Sequence, residues 1–147
     1  MNKLSYKIML FLLVGLNSCT GEGYKNIQFY NYSDSKYNVE KDFLQVVSTT
    51  TDTIPSKWKE YAVSLDFMDD KFIYFQNNPE EILRVNFTGD TTQWSSTNTC
   101  NISLFGLFKG EKWMFYHDIS SDEKERIKKR LETEILSKMR HSYTKED

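Results

Sequence analysis

The sequence predicts an α+β fold: one short N-terminal helix, an antiparallel meander of five to six strands, and a C-terminal helix packed on one face of the sheet. Three observations carry this expectation. Between Trp58 and His117 apolar residues recur with a period of two, the spacing of half-buried strands. The apolar runs are separated by turns of only two to five residues, too short for the crossovers that parallel strands require. On either side of this region the apolar period lengthens to that of a helix.

Taken in order, residues 20–38 are rich in Gly, Asn, Ser and Asp and read as a tether, with a short edge strand near residues 26–30. Val39, Phe43, Val46 and Val47 then fall at helical spacing. Asn38 is the expected N-cap, and the helix should stop near Ser48, where a run of threonines begins. Tyr61, Val63, Leu65 and Phe67 alternate with Ala62, Ser64 and Asp66 and predict the first strand of the meander. Asp69-Asp70 makes a turn, residues 72–75 a central strand, and Asn77-Asn78-Pro79 the next turn. Leu83, Val85 and Phe87 alternate with Arg84 and Asn86. Thr88-Gly89-Asp90 is expected to turn into a short polar strand at 91–94, followed by strands at 99–105 and 113–116 with a break at Gly106.

The last element is the C-terminal helix. Ser120 and Glu123 have the spacing of a capping box, and Asp122 and Glu123 complement the positive end of the helix dipole. Ile127, Leu131, Ile135 and Met139 form one apolar stripe. Glu125 with Lys129, and Glu134 with Lys138, are spaced to pair across one turn. The stripe is expected to dock on the sheet. Its alternative use, as a basic helix lying on lipid, fits less well because acids interleave with the bases. Residues 142–147 should fray. The element order is similar to that of cystatin-like and nuclear-transport-factor-2-like folds. A small lipocalin-like barrel is the alternative, although the strand count falls short of eight.

The N-terminus carries a more specific pattern. Lys3 and Lys7 precede a nine-residue apolar run, 8–16, that ends in Leu16-Asn17-Ser18-Cys19. As a helix the run would rise about 14 Å, half of a bilayer core of about 30 Å, so it has the length of a cleavable signal. Leu, a small residue and Cys in this register resemble the lipobox of bacterial lipoproteins. The resemblance implies cleavage between Ser18 and Cys19, acylation of Cys19, and membrane lipid as a partner through that residue. Thr20 follows the cysteine, where an Asp would imply retention in the inner membrane, so an outer-membrane location in the cell envelope is implied. The domain plan is then a cleaved signal at 1–18, a lipidated Cys and tether at 19–38, and a single domain at 39–147.

Loss of Lys3 and Lys7 with the signal moves the formal charge from −2 to about −4, which argues against a nucleic-acid partner. With Cys19 acylated, Cys100 is a lone thiol on the apolar face of its strand, expected to be buried and structural. No phosphate loop or zinc spacing occurs, so neither cofactor nor metal is expected. Asp66, Asp69 and Asp70 cluster without the Gly and terminal Glu of a calcium loop. Glu80-Glu81 reads as a polar strand start. Of the two histidines, His117 stands beside Asp118 at a strand end and His141 lies in the tail. No nucleophile elbow accompanies them, so no catalytic residue is assigned and the protein is expected not to be an enzyme. The chemical surplus is aromatic: 22 Phe, Tyr and Trp, concentrated in the sheet region, which read as a core and its flanks, with an aromatic-lined pocket or interaction patch as the alternative. The expected function is that of a membrane-anchored envelope lipoprotein binding a partner protein or small ligand. The alternative is a periplasmic immunity lipoprotein, which a neighbouring toxin gene and protection against that toxin would reveal.

Overall fold

The computed structural model describes residues 25–146. The readings on Ser18 and Cys19 lie outside the described residues. The fold is α+β, with an open antiparallel sheet of six strands and no barrel closure. In chain order the elements are β1 (Gln28–Tyr32), α1 (Lys36–Thr50), a 3-10 segment (Ser56–Tyr61), β2 (Asp70–Phe75), β3 (Glu81–Thr88), α2 (Thr91–Ser96), β4 (Cys100–Lys109), β5 (Lys112–Met114), α3 (Ser121–Glu134), a 3-10 turn (Leu136–Lys138) and β6 (Tyr143–Glu146). Strands β2 to β5 form the expected meander. The sheet order is β2-β3-β4-β1-β6, with β5 sharing the β1 edge of β4.

One face of the sheet carries the main core. Tyr30, Tyr32, Ile73, Phe75, Leu83, Val85, Phe87, Ile102, Leu104 and Leu107 pack with Val39, Phe43 and Val46 of α1 and with Ile127 and Leu131 of α3. Each such side chain contributes about 1.5–3 kcal/mol through burial. The apolar stripe that continues through Ile135 and Met139 is buried as well, so α3 docks on protein and the lipid-lying alternative is excluded. Helix α3 starts at the expected cap, Ser120, whose hydroxyl accepts from Glu123 N. It stops at Glu134, because Ile135 leaves helical geometry, and the stripe finishes on the 3-10 turn. The expected i,i+4 pairs are replaced. Glu125 pairs with Lys128, and Glu134 with Arg130 at 3.0 Å. Glu123 turns inward to Arg126 and Lys109, and the Arg126 guanidinium holds its carboxyl down at about 2.

Several boundaries differ from expectation. Helix α1 starts one turn early, because Ser35 rather than Asn38 is its N-cap, and it runs past Ser48 to Thr50. Thr49 and Thr51 bond back to carbonyls of the preceding turn, which keeps the threonine run helical. The 91–94 stretch is a helix, not a strand. Asp90 accepts from Gln93 N at 2.9 Å, and Gln93 Oε1 accepts from Asp90 N, a complete capping box. Gly106 does not break β4. It meets the Phe115 ring at 3.1 Å from where a Cβ would stand, so a side chain there would displace that ring.

The domain also begins earlier than residue 39, and residues 143–146 do not fray. β1 is an interior strand between β4 and β6, with Tyr30 and Tyr32 fully buried, so residues 28–38 are domain and not tether. The tail is ordered as β6, where Tyr143 packs its ring against those of Tyr30 and Tyr32. His141 bridges Asp42 at 2.9 Å and Asp34 at 3.0 Å, and Asp42 also accepts from Arg140 N at 2.6 Å. Burial pulls the Asp42 carboxyl up, but the bonds from His141 and Arg140 outweigh it and hold the group below the usual carboxylate range. A carboxyl depressed in the folded state stabilises above its unfolded pKa of about 3.9, and loses that contribution as pH falls through the folded value. Asp42→Ala should therefore cost about 1–3 kcal/mol near neutrality, with the gap from the parent closing below about pH 4. Urea unfolding at stepped pH checks this, and a gap independent of pH would refute it.

Candidate functional site

Among the described residues no α-helix contributes to the cluster on the second face of the sheet. Tyr74, Ile82 and Phe108 lie on it, flanked by Phe72 and Trp113, and the segment between α1 and β2 crosses over them. Trp58 and Tyr61 pack their rings on Phe108 at 5.1 and 4.9 Å, and Trp113 Nε1 donates to Tyr61 O at 2.9 Å. The predicted strand at 61–67 does not form. Its start is held by the 3-10 segment, and Ser64 Oγ donates to Met68 O at 2.7 Å while Met68 N closes a turn on Leu65 O at 2.9 Å. The alternating apolar side chains consequently face solvent: Val63 is 64 %, Leu65 48 % and Phe67 81 % exposed.

Behind this turn lies an apolar cleft of about 180 Å³ lined by Leu65, Phe67, Met68, Arg84, Phe105 and Phe115. It suits one side chain or a few methylenes rather than a drug-sized ligand. Its floor is polar and in part paired within the chain, with Arg84 Nε buried and without a hydrogen-bond partner among the described residues. Arg84 donates to Asp70 at 2.6 Å, Asn86 donates to the same carboxylate at 3.3 Å, and the guanidinium lies over the Phe105 ring at 4.8 Å. The neighbouring corner is basic. Lys25 and Lys124 lie over the Tyr116 ring at 4.4 and 3.6 Å, and the bond from Lys25 draws the Tyr116 phenol below its ordinary pKa.

A second cleft, about 280 Å³, is walled by Trp58, Tyr74, Ile82 and Phe108. Glu80 stands at its mouth and accepts from Tyr74 Oη at 2.8 Å and Trp58 Nε1 at 3.2 Å. Burial, with that bond to Glu80, pushes the Tyr74 phenol up to about 12. Lys57 lies 4.4 Å over the Trp58 ring and 3.5 Å from Glu80, so the chain's own ammonium occupies the cation-binding wall.

The remaining candidates are dispersed. Cys100 is buried, and desolvation pushes its thiol up to about 12, an unreactive state. Asp66, Asp69 and Asp70 do not converge. Asp66 is exposed, Asp69 pairs with Lys36 and Lys71, and Asp70 pairs with Arg84. Among the described residues no group of three or more His, Cys, Asp and Glu is placed to hold a metal ion. Asp118 accepts from Phe115 N at 3.0 Å beside His117, which meets the Tyr116 ring edge-on. Glu81 is not a solvated strand start. It is buried, between Arg126 and Arg130 of α3. The aromatics of the strands are mostly core and its flanks, while the apolar side chains of Val63, Leu65 and Phe67 are exposed. Phe67 belongs to a turn rather than a strand because the 61–67 segment has no pairing partner. Compared with known proteins, the chain matches no protein-family profile, no curated protein and no solved structure.

Proposed function

We propose that this chain is a lipid-anchored protein of the bacterial envelope, held through acylated Cys19 at the outer membrane, that acts by binding a partner protein or small ligand and not by turnover. The observation that carries the reading is the register of Lys3 and Lys7, the apolar run 8–16 and Leu16-Asn17-Ser18-Cys19. Two or more acyl chains on one residue give a durable anchor, since one alone binds only marginally. A binding role is supported by the exposed apolar turn at Val63, Leu65 and Phe67. It is supported too by the commitment of nucleophilic and basic groups to structure: Cys100 in the core, and His141 between Asp34 and Asp42.

Cys19→Ala should leave an uncleaved precursor and remove radioactive palmitate from the protein. Palmitate incorporation that survives the substitution would refute the reading.

A further inference from the structure

We propose that the cleft walled by Trp58, Tyr74 and Phe108 binds a small methylated ammonium compound, with Lys57 as its displaceable internal occupant. The proposal names a ligand class for the binding role inferred above and rests on that role, not on the anchor at Cys19.

The walls are fixed to one carboxylate. Tyr74 Oη and Trp58 Nε1 both donate to Glu80 Oε1, at 2.8 and 3.2 Å, and the Trp58 ring stands edge-on to that of Phe108 at 5.1 Å. Tyr74 on β2 and Phe108 on β4 are buried, so two of the three rings are held by the sheet itself. The bonds from Tyr74 and Trp58 keep the Glu80 carboxyl below its ordinary pKa, so it is charged near neutrality. Both bonds, and the nearest approach of Lys57, fall on Oε1, and Oε2 accepts no hydrogen bond among the described residues. Aromatic rings grouped around an oriented carboxylate are the surroundings in which a quaternary ammonium is recognised.

Lys57 shows that a cation is held here, and held loosely. Its ammonium lies 4.4 Å over the Trp58 ring but reaches Glu80 only at 3.5 Å, beyond the about 2.7–2.9 Å of a charge-assisted hydrogen bond. Its side chain is 59 % exposed. An exposed contact of this kind favours its occupant by no more than about fivefold. A lysine ammonium is compact and strongly hydrated, whereas a methylated one gives up less hydration and gains more from the rings. The charges that remain at the cleft favour a cation. Lys109 is bonded to Glu123 at 2.9 Å, and Glu81 is taken up by Arg126 and Arg130. Glu111 lines the cleft and is exposed, so Glu80 and Glu111 stand against Lys57 alone. The volume, about 280 Å³, admits a small organic cation.

The test uses the full chain, isotopically labelled and purified in a maltoside detergent. Its tryptophan indole N–H resonances are followed by NMR as choline is added. The Trp58 resonance should shift and saturate with a dissociation constant of about 1 mM or below, while that of Trp94, on α2, stays in place. Dimethylbutanol, the neutral carbon isostere of choline, should move neither. Glu80→Gln keeps an acceptor for Tyr74 and Trp58 but loses the charge, and should weaken binding about fivefold. Lys57→Gln removes the internal occupant and should tighten binding about two- to fivefold. Phosphocholine is titrated in parallel. Tighter binding than choline assigns the source as a lipid headgroup, equal or weaker binding as a free cation, and both support the site. A Trp58 resonance that choline leaves unmoved, or that the neutral isostere moves equally, overturns the proposal. So does binding that weakens in Lys57→Gln. Palmitate on Cys19, measured on the same protein, reports the anchor separately, so a lost choline response with palmitate present strikes this site alone.

Discussion

Glu81→Ala is expected to lower the unfolding free energy by about 3–5 kcal/mol, the cost of orphaning a buried charge cluster. The Glu81 carboxylate is fully buried, bonded to both terminal nitrogens of Arg126 and to Arg130 at 2.8 Å. Arg130 is half-buried. It lies 4.0 Å over the Phe75 ring and donates to Pro79 O at 2.9 Å and Asn77 O at 2.6 Å. One carboxylate therefore joins β3, α3 and the β2–β3 turn. Removing it leaves Arg126 with Glu123 and Arg130 with Glu134 but takes away the buried carboxylate that joins the two guanidinium groups. Glu81→Gln retains the shape without the charge and should fall between parent and alanine. Urea midpoints of the three proteins decide the matter. A loss below about 1 kcal/mol would mean that the cluster behaves as an exposed pair.

Tyr30→Ala should be comparably damaging, at about 3–5 kcal/mol for a fully buried aromatic. Tyr30 sits in the middle of the sheet, with its hydroxyl on Glu132 at 3.1 Å and its ring edge-on to Tyr143 at 5.2 Å. Burial raises its phenol well above the ordinary range, so the ring stays neutral in its pocket. The same reasoning predicts that a chain starting at Val39 does not fold, because removing β1 strips both β4 and β6 of a partner. Loss of cooperative thermal unfolding would confirm it. Native-like unfolding of the shortened chain, or a negligible effect of Tyr30→Ala, would return residues 28–32 to the tether.

The elements that the sequence predicts well are those whose evidence is local. Ser120, the Ile127–Leu131–Ile135–Met139 stripe, the continuous apolar run at Phe72–Phe75 and the alternation at Leu83–Phe87 are each legible within their own segment. The misread segments depend on distant partners. Alternation at Tyr61–Phe67 resembles a strand, but no neighbouring strand receives it, and Pro55 with the Trp58 anchor directs the chain across the sheet face instead. Asn31, Ser33 and Asp34 make the first residues look like linker, although Tyr30 and Tyr32 alternate correctly for a strand. Asp90 and Gln93 have the spacing of a capping box that the polarity of Thr91 and Thr92 obscures. Of the candidate site, the aromatic excess was legible and its location was not. Likewise, nothing near Glu81 in the chain announces arginines 45 and 49 residues away.

The interior placement of β1 has a mechanical consequence. An anchor on the N-terminal side would apply any pull along the axis of β1, because that strand is the first in the described chain. Antiparallel hydrogen bonds run perpendicular to the strands. A load along β1 therefore shears its ladders with β4 and β6 together instead of peeling them one rung at a time. Strain on such an anchor would be shared across two strand interfaces, and the domain would resist extraction better than one hung from an edge strand.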